Sequence, residues 1–215
     1  MKLPCAAVAE TRPAALPPAE RTVGQVVAES IRFYGDHFWK VLALGLPFVL
    51  LDLLSWQEAW WKQVVVGWVV GPLICFAYIR AAMLVNGSFW SWRAYVAALV
   101  IYLPYPVLGV YILPAVVYFA LVGLGIPDAL RADEGPRYAV RRGIELGRAD
   151  VVHAIGGLAT IVLVVGVSRL ALEVLLNTQG DQAQLLAVAL ADLVLSPLFY
   201  VGAVLLAVDQ EARVE

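Results

Sequence analysis

Charge is the scarcest property of this chain. Asp, Glu, Lys and Arg supply 15% of its 215 residues and apolar types 62%, against about 25% and roughly 45–50% in soluble domains. A solvated surface of the ordinary kind cannot be built from so few charges. The net charge of −2 excludes the basic footprint that nucleic acid requires. Two distant cysteines, Cys5 and Cys75, make neither a disulfide framework nor a metal site. His37 and His153 stand at non-equivalent places near helix ends, where an interfacial polar residue is the simpler reading than a metal ligand. No Ser–His–Asp, paired-carboxylate or metal-ligand spacing occurs, so neither an enzyme nor a cofactor is expected.

A secretory leader is missing as well. Met1–Arg21 contains no apolar core of about 7–15 residues, and Pro4, Pro13, Pro17 and Pro18 interrupt it. Residues 1–21 therefore read as a disordered cytoplasmic tail. Cys5 follows only four residues, one of them Pro4, which argues against a lipoprotein attachment.

What the chain has instead is six apolar stretches, at 38–56, 64–85, 94–112, 114–130, 151–176 and 184–208. A crossing helix needs about 20 mostly apolar residues. The pattern predicts an all-α fold: a polytopic transmembrane bundle of six helices occupying 22–215 as a single domain. Threaded alternately through a bilayer, these spans place Lys2, Arg12, Arg21, Arg32, Lys40, Arg80, Arg93, Arg131, Arg137, Arg141, Arg142, Arg148 and Arg213 on one face. The other face receives Lys62, and Arg169 lies within a span. Basic loops resist translocation, so both termini are expected in the cytoplasm of a bacterium, with the chain in its inner membrane.

Residues 94–130 form one nearly uncharged run that a single helix would stretch over about 55 Å, too long for a hydrocarbon core of roughly 30 Å. It must turn back. Leu113-Pro114-Ala115 is the preferred turn, because proline suits the first turn of a new helix. Pro104-Tyr105-Pro106 is the rival.

Amphipathic segments flank the spans. Val23, Val27, Ile31, Tyr34 and Phe38 recur at helical spacing and predict an interfacial helix on the cytoplasmic side. Val140, Ile144, Gly147 and Val151 repeat that stripe in a second helix over Pro136–Asp150, at an offset of 113. Gly87–Arg93 is a truncated third copy. Three units of interfacial segment plus helical hairpin, arranged in parallel, follow from this. Trp39 with Lys40, Trp56 with Trp60 and Trp61, and Trp90 with Trp92 mark the water–lipid boundaries.

Ionisable groups in the hydrocarbon core cost at least about 2.5–3.5 kcal/mol, so each needs a partner or a purpose. Arg169 lies about 10 Å deep and Asp192 about 12 Å deep from the same side, counted at 1.5 Å per residue. Their helices are joined by the short loop around 177–183, which predicts an Arg169–Asp192 ion pair. Glu173, one turn outward, is a competing partner. Such a pair either fixes helix register or lies on a substrate or proton path. Arg80 and Asp128 near inner helix ends, and Asp52 near the outer surface, read as boundary residues. Proline within the spans (Pro47, Pro72, Pro104, Pro106, Pro114, Pro127 and Pro197) either exposes backbone to a substrate or is satisfied by neighbouring helices. Gly67-xxx-Gly71 permits close helix approach within the chain. In the loop 131–150, Arg137, Arg141, Arg142 and Arg148 are candidate contacts for anionic headgroups.

Four passages carry a family resemblance: Val26-Val27-Ala28-Glu29-Ser30 running to Phe38-Trp39-Lys40; Leu113-Pro114-Ala115-Val116-Val117-Tyr118; Ala139-Val140-Arg141-Arg142-Gly143-Ile144-Glu145-Leu146; and Ser196-Pro197-Leu198-Phe199-Tyr200, ending at Val208-Asp209-Gln210-Glu211-Ala212-Arg213. In these the chain resembles bacterial six-helix membrane proteins typified by the membrane domain of some glycerophosphodiester phosphodiesterases and its stand-alone relatives. That family's hydrolase is a separate soluble domain, so the resemblance implies a membrane fold and no phosphodiesterase activity. Two functional readings follow. One is a non-enzymatic scaffold or partner in envelope or lipid-related processes, touching the bilayer, anionic headgroups or another envelope protein. The other is a small-solute transporter or channel, which needs its charges around one water-accessible cavity.

Overall fold

The computed structural model describes residues 17–176 and 180–214. The expected disordered tail lies, for residues 1–16, outside the described residues. Eleven α-helices, and no strand, are found among the described residues: α1 (Val23–Asp36), α2 (Phe38–Leu42), α3 (Leu46–Ser55), α4 (Trp60–Asn86), α5 (Trp92–Tyr102), α6 (Tyr105–Leu108), α7 (Ile112–Val122), α8 (Ile126–Ala132), α9 (Pro136–Ala149), α10 (Val151–Leu176) and α11 (Asp181–Val214). Short 3-10 turns occupy Pro18–Glu20, Ala43–Gly45 and Gly123–Gly125.

Five helical stretches are long and apolar enough to cross a membrane: Phe38–Ser55, Trp60–Asn86, Ile112–Ala132, Val151–Leu176 and Asp181–Val214. The stretch expected as a third span, 94–112, is shorter. Its helix runs Trp92–Leu108 and breaks between α5 and α6, where Pro104 and Pro106 remove two backbone donors. The reversal falls at 109–111, between α6 and α7, and not at Leu113-Pro114-Ala115; Pro114 sits inside the first turn of α7.

The long helices carry apolar side chains on their outer faces as well as their inner ones. Leu163, Val167, Leu170 and Val174 of α10 and Leu186, Leu190 and Val194 of α11 are exposed at helical spacing, and so are Val65, Val69, Leu73 and Phe76 of α4. A girdle of this extent suits hydrocarbon as solvent and not water. Exposed Trp60 and Trp61 stand at one end of it and exposed Trp39, Phe89 and Trp92 at the other. α11 is the axis of the bundle, packing against α1, α3, α4, α9 and α10.

Two of the crossing stretches are interrupted in the same way. Ala43-Leu44-Gly45-Leu46-Pro47 and Gly123-Leu124-Gly125-Ile126-Pro127 each form a 3-10 turn followed by a helix with proline in its first turn. A Cβ on Gly45 would lie 2.3 Å from the Leu193 carbonyl oxygen, the acceptor that Pro197 leaves without its usual intrahelical donor. Pro127 likewise cannot donate to the Gly123 carbonyl, which accepts from the Ile126 backbone N–H and from the Tyr78 hydroxyl at 3.4 Å. At the α5 break, Tyr118 Oη donates to the Ile101 carbonyl at 2.8 Å and Trp68 Nε1 to that of Leu103 at 2.9 Å. Aromatic donors on neighbouring helices thus satisfy the broken backbone, which has no water to turn to in hydrocarbon. Gly67 and Gly71 of α4 receive the Pro106 and Tyr102 side chains from the same chain.

The offset of 113 carries α1 exactly onto α9, first residue to first and last to last. Each is followed after one residue by a crossing stretch. Their buried faces differ from the expected stripes. α1 turns Val26 and Ser30 inward and leaves Ile31 exposed; α9 buries Ala139, Gly143, Leu146 and Gly147 and leaves Ile144 exposed. Small residues win the inward face because the backbones touch. A Cβ on Gly143 would lie 2.2 Å from the Val122 carbonyl oxygen, and one on Gly125 2.0 Å from that of Ala139, a spacing at which only Cα–H contacts are possible.

The two ends of the described chain meet. Arg21 Nη1 lies 3.1 Å from Asp209 Oδ1, and Arg213 Nη2 donates to the Arg21 carbonyl at 2.8 Å. Arg213 also pairs with Asp150 at 2.9 Å, whose other oxygen accepts from the His153 backbone N–H at 2.9 Å at the start of α10. Of the expected tail 1–21, its last residues are therefore ordered by contact with α11.

Candidate functional site

The bundle encloses a cavity of about 570 Å³. Its exposed rim is formed by Gln57, Gln63, Gly109 and Val110, and its floor by buried Ile74, Cys75, Tyr78, Ile126 and Tyr200. Phe48, Trp56, Tyr102, Tyr105, Phe119 and Phe199 supply aromatic walls. The broken helices border the space. α3 starts only after the Ala43–Gly45 turn, and the α5–α6 break sets Pro106 against Gly67 of α4.

An ion cluster reaches this wall through Asp52 and Arg169. Arg169 of α10 extends Nη1 to Asp192 Oδ2 at 2.9 Å, Nη2 to Asp52 Oδ1 at 2.7 Å and Nε to Glu173 Oε1 at 3.4 Å. The planar guanidinium suits this role, since its donors point outward in a fixed fork. Asp52 and Asp192 are only 5% and 2% exposed, while the side chains of Arg169 and Glu173 are about one third exposed. The structure thus brings Arg169, Asp192 and Glu173 together, and adds Asp52 from α3. Asp52 is a correction to its reading as a boundary residue. Three residues from the end of Phe38–Ser55, it is buried and its Oδ1 is held by Arg169 of α10. The sequence signal was present: an acid flanked by Leu50-Leu51 and Leu53-Leu54 is apolar on every neighbouring side.

Polar atoms in this cavity outnumber their partners. Asp52 Oδ2, Trp56 Nε1 and Tyr200 Oη are buried without a hydrogen bond, and Tyr200 is 1% exposed. Stranded groups of this kind cost about 1–3 kcal/mol each and mark a place built to receive water or a ligand.

A second ionic region lies at the opposite end of the bundle. Asp128 is buried and accepts from Arg142 Nε at 2.6 Å, with Arg131 at 3.3 Å; Arg131 also bonds Glu211. Asp128 is thus a lock between α8 and α9 and not a snorkelling boundary residue. Arg142, with 18% of its side chain exposed, also pairs with Glu145 at 3.1 Å, and so is spoken for. Burial, then the Asp128 carboxylate, pushes the Tyr138 phenol upward. Arg137, Arg141 and Arg148 are exposed, with no ion pair to them among the described residues. Arg80 is likewise exposed. His37 stacks on Phe33 at 4.4 Å. No group of three or more metal-ligating side chains occurs among the described residues.

An all-helical bundle with an apolar girdle, aromatic ends and an interior ion cluster defines the chain as a membrane protein. No protein-family model, curated protein or solved structure matches it.

Proposed function

We propose that the chain is a multi-pass protein of a bacterial inner membrane that admits a small, largely apolar molecule into its bundle, a carrier in preference to a scaffold. One observation carries this reading: Asp52 and Arg169 line a single cavity of about 570 Å³ that also holds stranded polar atoms. Ligand sites commonly enclose about 300–1,000 Å³ with mostly apolar walls and a few convergent polar groups.

Six crossings with both ends in the cytoplasm belong to the same proposal. The contact between Arg21 and Arg213 supports it, because ends that touch must lie on one side of the bilayer. Five crossings would separate them. Trp92–Leu108 must then complete the passage, covering about 25 Å at 1.5 Å per residue. The fold resemblance to the membrane domain of glycerophosphodiester phosphodiesterases is part of this proposal and brings no hydrolase chemistry with it.

Labelling of single cysteines tests the cavity, in a background lacking Cys5 and Cys75. A cationic, water-soluble methanethiosulfonate should modify Val116→Cys on the cavity wall and leave Val69→Cys on the exposed face of α4 unreacted. Equal inertness at both sites would return the protein to the scaffold reading. That second reading keeps one observation: exposed Arg137, Arg141 and Arg148 on α9, beside exposed Ile144, suit anionic headgroups, each basic residue gaining about 1 kcal/mol near such a surface.

A further inference from the structure

The ion cluster in the cavity wall does not balance. One guanidinium meets three carboxylates, Asp52, Glu173 and Asp192, and Arg169 is the only base among the described residues that line the cavity. Glu173, with 30% of its side chain exposed, is not sealed in with the other two. Asp52 and Asp192 are nearly sealed, and both contact the same guanidinium. One positive charge cannot offset two carboxylates in a medium of low dielectric, so such a pair keeps a proton or takes in a second cation. The remaining surroundings suit the second possibility as well. Asp52 Oδ2 is buried and accepts from no donor group, so that only a proton shared with Asp192 satisfies it in the empty cavity, and Tyr200 Oη, which has no hydrogen bond, lines the same space from α11. Phe48, Trp56, Tyr102 and Tyr105 present aromatic rings around it. Carboxylate plus aromatic faces is the chemistry that recognises an alkylated cation, which cannot itself donate hydrogen bonds.

We propose that the cavity takes an organic cation with an apolar body, such as a quaternary ammonium or phosphonium, whose charge settles on Asp52 in exchange for a proton shared by Asp52 and Asp192. This rests on the cavity reading and names the class of its ligand. In the empty cavity one carboxyl of the pair is protonated and the other is neutralised by Arg169. When the cation enters, the carboxyl O–H bond breaks, its electron pair stays on oxygen, and the proton leaves to water at the Gln57–Gln63 rim. No covalent bond forms to the ligand. The charged and titratable groups facing the pair are Arg169 and Glu173 of α10, with Cys75, Tyr102, Tyr105 and Tyr200 lining the same space. A proton and the cation compete for one site, so binding tightens as pH rises.

The test is calorimetric titration of the purified protein in detergent with tetraphenylphosphonium, repeated in two buffers of different ionisation enthalpy. The proposal expects saturable binding with release of about one proton, and an affinity rising by up to about tenfold per pH unit while the pair is protonated. Asp52→Asn should abolish the release and weaken binding at least tenfold, whereas Glu173→Gln should leave the release in place. Wild-type protein should reject tetraphenylborate, an anion of the same shape, which keeps the test decisive should the Asp52 variant fail to fold. Binding without proton release overturns the exchange, and binding of the borate overturns the charge class. Failure to bind tetraphenylphosphonium while Val116→Cys is still labelled overturns this inference and leaves the cavity reading standing. Failure of both removes the cavity reading too.

Discussion

Arg169 is the residue on which the interior of the bundle turns, since among the described residues it alone offsets the two nearly sealed aspartates beside it. Removing one member of a buried ionic group costs about 3–5 kcal/mol because the others are left uncompensated. Arg169→Ala is therefore expected to lower stability in detergent by about 3 kcal/mol, the low end, as its side chain is one third exposed. The double variant Arg169→Ala with Asp192→Asn should recover part of the loss, and a double variant no better than the single would remove the electrostatic account. Much of this cluster was legible. Depths of Arg169, Glu173 and Asp192 can be counted along adjacent helices, and a short loop makes those helices neighbours. Asp52 was not legible by the same count, because its partner Arg169 stands 117 residues away along the chain. That pairing is a tertiary event which helical periodicity does not encode.

At the scale of elements, close backbone contact does what large apolar side chains do in soluble cores. The seam between α9 and the Gly123–Gly125 turn has no room for a Cβ at Gly143 or Gly125. Gly143→Ala should lower thermal stability by about 1–3 kcal/mol, as overpacking does. Gly166→Ala, in α10 with open space around it, should raise stability by about 0.5–1 kcal/mol through helix propensity. If both behave alike in a detergent melt, the seam is not tight. Tyr78→Phe removes the donor to the Gly123 carbonyl and should cost about 1 kcal/mol. The duplication of α1 in α9 was readable from the offset of 113 between their stripes. Which face of each helix turns inward was not, because apolar periodicity marks Ile31 and Ile144 as strongly as it marks a core. In a membrane both faces can be apolar, and small residues decide the contact. The repeated Leu-Gly-Leu/Ile-Pro string at 44–47 and 124–127 was open to reading and is the signal that two crossing stretches would break.

For the whole molecule, the arrangement of charge and the meeting of its ends argue for the same topology. Arg21, Asp150, Asp209 and Arg213 tie the N-terminal segment, the start of α10 and the end of α11 into one ionic knot, at the end of the bundle away from the cavity rim at Gln57 and Gln63. The number of crossings was the least legible property of the fold. Composition registers hydrophobic length, whereas Pro104 and Pro106 shorten the third helix without changing its composition. The most direct measurement is labelling with a membrane-impermeant maleimide of single cysteines at Gln57, Asp133 and Val214, first in spheroplasts and then in inverted vesicles. The expected result is Gln57→Cys modified in spheroplasts only, and Asp133→Cys and Val214→Cys modified in inverted vesicles only. Modification of Val214→Cys from the same side as Gln57→Cys would contradict the account.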